Sequence, residues 1–163
     1  KQRGDLAAGI GEYESEELLI QSISKILKEN RDLKLYIYFH PCEKETDEIY
    51  QEAKEIYSKE FASSRIEFCP KEISSLAMFY KSDIAVSVYS STNIERLFLG
   101  MKTLYFPAMF KVKVFENTSL EKILIQSPEE LSKQVNISLQ ESDAEFMSKR
   151  GLERYPNFGL KSN

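Results

Sequence analysis

Two short stretches of this chain put reactive groups where a strand gives way to something else. The first is Tyr36-Ile37-Tyr38-Phe39-His40-Pro41, which carries the only histidine of the sequence. Pro41 removes an N–H donor and fixes the chain direction, and this would hold the His40 imidazole near the strand end. An imidazole there can donate to a phosphate oxygen or act as a general acid toward a departing phosphate. The plainer alternative is a histidine that only bridges backbone groups. The second stretch runs from Ser87 to Gly100 and places Ser90, Ser91 and Thr92 just before a helical pattern. The first N–H groups and the dipole of a helix attract anions, and hydroxyls beside them complete a phosphate cradle. A simple N-cap needs one hydroxyl rather than three, and Thr92 is the expected cap. Glu95, three residues further on, suits either the acid of a capping box with Thr92 or an acceptor for ribose hydroxyls.

The elements that must position these groups alternate. Residues 6–10 read as a short strand ended by Gly11. Ser15 is the expected cap of a helix with Leu19, Ile23, Ile26 and Leu27 on its apolar face and Asn30 as its stop. Residues 33–39 read as a strand apolar on both faces, apart from Lys34. Residues 46–61 read as a helix with Ile49, Ala53, Ile56 and Tyr57 inward. Residues 66–69 are a strand halted by Pro70, and 72–80 a helix with Ile73, Leu76 and Ala77 inward. Residues 84–88 are a strand, 93–99 a helix closed by Gly100, and 103–106 a strand before Pro107. Residues 107–120 read as a loop offering Lys111 and Lys113, followed by a last strand at 123–125. Ser127-Pro128-Glu129-Glu130 is a helix start with a cap, a proline and acids at the positive dipole end. Residues 142–150 form the expected closing helix.

This order predicts βαβ units and an α/β fold, a Rossmann-like doubly wound parallel sheet of at least five strands. Ligands of such sheets bind outside the carboxyl ends of the strands. His40 and Ser90–Thr92 are therefore expected on one carboxyl edge.

Composition narrows the function classes. At 163 residues the chain has the length of one domain with a real core. A net charge of −4 argues against a nucleic-acid binder. No apolar run is long enough to span a membrane, and no secretory leader is expected. Cys42 and Cys69 lack zinc spacing and fit a reduced, cytoplasmic setting. Gly-x-Gly-x-x-Gly, a Walker lysine loop, Asp-x-Asp and Gly-x-Ser-x-Gly are all missing, so neither a metal nor a cofactor is expected. The chain opens on Lys1 rather than Met, and an excised domain or fragment is the expectation.

Taken with Arg65-Ile66-Glu67-Phe68-Cys69-Pro70 and Glu72, these motifs resemble the carboxy-terminal half of GT-B-fold glycosyltransferases over residues 5–136. The likeness is to bacterial enzymes of surface-polysaccharide synthesis, among them sialyltransferases with His-Pro and Ser-Ser/Thr motifs in this order. Ser90 to Gly100 with Glu95 is also similar to the nucleotide-binding turn of nucleotide-sugar 2-epimerases. The resemblance implies that His40 contacts the donor phosphate and assists departure of the nucleotide. It implies that Ser90, Ser91 and Thr92 hold the phosphate and Glu95 the ribose. The substrate would be a nucleotide-sugar donor, bound without metal. Residues 1–163 would form a single nucleotide-sugar-binding domain, with 137–163 as a helical extension. The partner would be a missing amino-terminal half, and peripheral membrane association stays open. The acidic catalytic base of the sialyltransferases has no counterpart here, so the chain alone is expected to bind without turnover. An epimerase-like or glycerophosphotransferase-like domain, or a non-catalytic α/β binding module, are the alternatives.

Overall fold

Helix α1 (Glu12–Glu29) begins one residue after Gly11, and the reason lies in the backbone. Gly11 has φ +85°, and a Cβ there would lie 1.9 Å from the Met109 carbonyl oxygen, so only glycine fits. The computed structural model of the chain describes residues 10–61 and 65–153. They divide into two compact units, one of Ile20–Ser82 and one of the segments up to Leu19 and from Asp83 onward. The expected first strand lies outside the described residues except for Ile10, whose carbonyl accepts the Lys111 N–H at 2.9 Å.

The Ile20–Ser82 unit holds the later turns of α1, then β1 (Leu35–Ile37), a 3₁₀ turn (Pro41–Lys44) and α2 (Asp47–Phe61). β2 (Ile66–Phe68), α3 (Ser75–Met78) and a second 3₁₀ turn (Phe79–Lys81) complete it. β1 and β2 pair in parallel, with Leu35 opposite Ile66 and Ile37 opposite Phe68. Leu27, Ile37, Phe39, Tyr50, Ala53 and Phe61 form the core, with Tyr57 and Phe68 packed against it. Asn30 ends α1 as expected, its side chain donating to the Ile26 carbonyl at 2.9 Å. The Arg65 guanidinium adds donors to the carbonyls of Leu27, Asn30 and Leu33, and so satisfies groups left open at that helix end.

The other unit contains β3 (Ala85–Ser87), α4 (Ser91–Phe98), β4 (Thr103–Tyr105), a 3₁₀ turn (Ser119–Ile123), α5 (Pro128–Gln140) and α6 (Asp143–Lys149). β3 and β4 are also parallel, Ala85 facing Thr103 and Ser87 facing Tyr105. All three residues of β4 are buried, which makes it the inner strand. Leu97, Leu104, Phe106, Ile123, Leu131 and Phe146 of this unit are wholly buried. Gly100, at φ 74°, ends α4 in the paired arrangement of a Schellman motif. The Gly100 N–H reaches Leu97 O at 2.9 Å and the Met101 N–H reaches Arg96 O at 3.1 Å. Ser127 caps α5 as expected; α6 starts at Asp143, and Ser142, read as the first residue of the closing helix, is its N-cap in a capping box with Glu145.

Several expectations change. Short parallel strands alternate with helices, but the described residues form two two-stranded sheets rather than one sheet of five or more strands. Local periodicity reports strands; which strand lies beside which is a non-local matter that it does not carry. Ser15 is not a cap. It lies within α1, fully buried, where its hydroxyl donates to Gly11 O at 2.8 Å and accepts the Met109 N–H at 2.9 Å. The stripe of α2 is Tyr50, Ala53 and Phe61, leaving Ile56 exposed. Residues 72–74 precede the short α3, and Ile73, Leu76 and Ala77 face outward while Met78 and Phe79 are buried. The expected strand at 123–125 is a single parallel bridge, Leu124 to Tyr105, after the 3₁₀ turn.

Candidate functional site

Each motif stands at the carboxyl end of a parallel strand. The expected single edge is two: His40 follows β1 in one sheet, and Ser90–Thr92 follow β3 in the other.

His40 is exposed and caps the 3₁₀ turn that Pro41 starts, with φ −61° and ψ 148°. Its Nδ1 accepts the Cys42 N–H at 3.3 Å, while its backbone N–H donates to Glu43 Oε2 at 2.7 Å. An imidazole that accepts at Nδ1 carries its hydrogen on Nε2 in the neutral form. Backbone bridging is thus met by one ring nitrogen, and the other remains a donor without a partner among the described residues. Glu43 is held in turn by the Tyr57 hydroxyl, at 3.3 Å from Oε1. The ring of the preceding residue, Phe39, meets Tyr50 edge-on at 5.0 Å and stacks on Phe68 at 5.7 Å. The Tyr50 hydroxyl donates to the Cys69 carbonyl at 2.9 Å, tying α2 to the end of β2. Cys69 is buried, and desolvation pushes its thiol above the ordinary value despite the opposing pull of Lys44 and Lys81.

At the other turn the expected cap moves by two residues. Ser90 is the N-cap of α4, with φ −148° and ψ 127°, and its side chain makes no capping hydrogen bond. Thr92 is therefore the second helical residue, and Glu95, one turn deeper and exposed, has no capping-box geometry with it. The reason is competition for the backbone. The Ser90 carbonyl takes the Asn93 N–H at 3.2 Å and the Tyr105 hydroxyl at 2.8 Å, which clamps the turn with no help from a serine side chain. Asn93 is buried and spends its amide on the Ser87 hydroxyl at 2.8 Å. Ser91 is exposed, Ser90 and Thr92 are half-buried, and none of the three hydroxyls has a partner among the described residues. Three side-chain donors, with the open N–H groups of the first helical turn, are what an anion accepts from.

Sequence reasoning missed the residues that build this turn. Tyr105 is fully buried; burial first, and Tyr89 second, push its phenol above the ordinary value, which keeps the hydroxyl a donor. Tyr89, directly before Ser90, is 56% exposed. Its ring lies 6.4 Å from Phe110 and 6.0 Å from Phe115. Arg96 is buried and donates from Nε to the Lys102 carbonyl at 3.2 Å, so it anchors α4 onto the start of β4. Tyr89, directly before the hydroxyl triplet, was the available signal, but the aromatics as a class read as strand and helix core. Of the loop lysines, Lys113 pairs with Glu116 at 2.9 Å and Lys111 is exposed.

Among the described residues no group of three or more His, Cys, Asp or Glu side chains is placed to hold a metal. No described helix is long and apolar enough to cross a membrane. Comparison of the chain with protein-family models, curated proteins and solved structures finds no match.

Proposed function

We propose that this chain is the donor nucleotide-sugar-binding domain of a glycosyltransferase for cell-surface polysaccharide, the carboxy-terminal half of a GT-B enzyme with a Rossmann-like sheet. The observation that carries the reading is the start of α4. Three adjacent hydroxyls stand there at the carboxyl end of a parallel strand, and local capping consumes none of them. In this reading Ser90, Ser91 and Thr92 hold the donor phosphate, and Glu95 accepts from the ribose. The Nε2–H of His40, in the Ile20–Ser82 unit, is a separate candidate donor to a phosphate. The catalytic base comes from an amino-terminal half, and the isolated chain binds without turnover.

The test is calorimetric titration of the chain with nucleoside mono- and diphosphates, without added metal. The parent should bind them with modest affinity. Ser90→Ala/Ser91→Ala should lose about tenfold or more for each charge-assisted hydrogen bond removed, at roughly 1.5–3 kcal/mol apiece. Unaltered binding by the serine double variant would remove the support of the phosphate reading.

A further inference from the structure

We propose that the Tyr89 ring is the stacking surface for the planar base of a nucleotide, an assignment that rests on the phosphate reading of Ser90–Thr92. Tyr89 is 56% exposed, whereas Tyr105, the next aromatic of the same cluster, is fully buried. An exposed tyrosine alone is ordinary. This one is braced: Tyr105 at 6.5 Å, Phe110 at 6.4 Å and Phe115 at 6.0 Å surround its ring, tilted by 31–47°. Phe115 reaches its place through a left-handed φ of 56°, uncommon for a bulky residue, and its ring also packs edge-on against Tyr105 at 5.2 Å.

The occupant follows from what stands beside the ring. Tyr89 and Ser90 are successive residues, and the Ser90 carbonyl is clamped by the Tyr105 hydroxyl and the Asn93 N–H. One short, fixed segment therefore carries a π-face and the hydroxyl donors for an anion. A molecule with a flat heteroaromatic ring and a phosphate matches both, and a nucleotide is that molecule. Aromatic side chains stack on any base, so the surface selects for a base without dictating which.

The sequence contains no tryptophan, so Tyr89→Trp gives a single emitter at the proposed contact and keeps a stacking face. Its emission would be followed during titration with CMP, UMP, cytidine, uridine and inorganic pyrophosphate, beside calorimetry of the parent and of Tyr89→Leu. Saturable quenching by both monophosphates is expected. Tyr89→Leu should bind them about tenfold or more weakly, while its pyrophosphate affinity equals that of the parent. Emission that does not move at concentrations saturating the parent overturns the proposal, as does Tyr89→Leu binding nucleotides like the parent. If the parent binds neither pyrophosphate nor nucleotide, the phosphate reading fails by itself. The bare nucleosides then decide the stacking claim: saturable quenching of Tyr89→Trp sustains it, and none ends it. Should Tyr89→Leu not fold, the Tyr89→Trp emission gives the answer alone.

Discussion

The turn after β1 and the turn after β3 begin from the same plan, a short parallel strand running into a polar, helix-starting segment, and they spend their polar groups differently. After β1, His40 and Glu43 close a reciprocal box, and only one ring nitrogen is left for anything else. After β3, the clamp is made by a carbonyl, a buried phenol and an asparagine, and three hydroxyls are left over. A side chain engaged in its own turn serves stability first. A polar group left over where a helix begins is available to a ligand. The contrast extends to what holds each unit. The Ile20–Ser82 unit rests on aromatic packing around Phe39. The other unit carries an ionic network around buried Glu141, which meets buried Arg150 at 2.9 Å and the exposed Lys149 at 3.1 Å, while the Glu141 carbonyl takes the Lys102 ammonium at 2.6 Å.

The largest effect is expected where the first unit is most apolar. Phe39→Ala removes a buried ring that touches Tyr50, Tyr57 and Phe68, and should cost about 3–5 kcal/mol in urea unfolding. A loss below about 1 kcal/mol would mean that aromatic packing around Phe39 does not hold this unit together.

The ionic network gives the next largest effect and a pH signature. Burial alone would raise the Glu141 carboxyl, but hydrogen bonds and charge from Arg150 and Lys149 outweigh it and hold the group below its ordinary value. A carboxyl depressed in the folded state stabilises it fully above the unfolded value, and the contribution is lost as pH falls through the folded value. Glu141→Gln leaves a buried guanidinium that keeps Gln134 and the Phe146 carbonyl, so the cost at neutral pH should sit at the low end of a broken buried pair, about 3 kcal/mol. Parent and variant should converge below the ordinary carboxylate range, where Glu141 is protonated. Unfolding curves with a constant difference from pH 7 to pH 3 would refute the ionic account.

What the sequence discloses depends on the range of the signal. Ser127 with Pro128, Ser142 with Glu145, Asn30 and Gly100 act within one helical turn, and each stands where its local chemistry puts it. Ser15 was illegible because its partner, the Met109 N–H, lies 94 residues away. Thr92 lost the cap for a similar reason: the phenol of Tyr105, fifteen residues on, fixes the Ser90 carbonyl and with it the first turn of α4. Residues 73–80 carry an apolar stripe at helical spacing, yet tertiary packing buries Met78 and Phe79 instead. The division into two sheets belongs to the same category, since a three-residue strand carries no mark of its neighbour. The candidate residues themselves were readable, because hydroxyls at a helix start and an imidazole before a proline are local facts.

The smallest expected effect is the sharpest test of the comparison between the two turns. Glu43→Ala opens the box around His40, freeing the backbone N–H that Oε2 accepts at 2.7 Å and the Tyr57 hydroxyl bound to Oε1. The group is at the surface, so the loss should resemble that of an N-terminal cap, about 0.5–2 kcal/mol. Ser90→Ala also alters an N-cap position by residue type, and an ordinary capping serine would cost the same. Here the side chain makes no capping bond, and the carbonyl that remains in alanine keeps both of its donors. The expected loss is therefore within about 0.5 kcal/mol, the range of a surface change that breaks nothing. Chemical denaturation of Glu43→Ala and Ser90→Ala beside the parent measures both on one scale. If Ser90→Ala loses as much as Glu43→Ala, its hydroxyl is consumed by the helix after all, and the distinction between an engaged turn and an available one disappears.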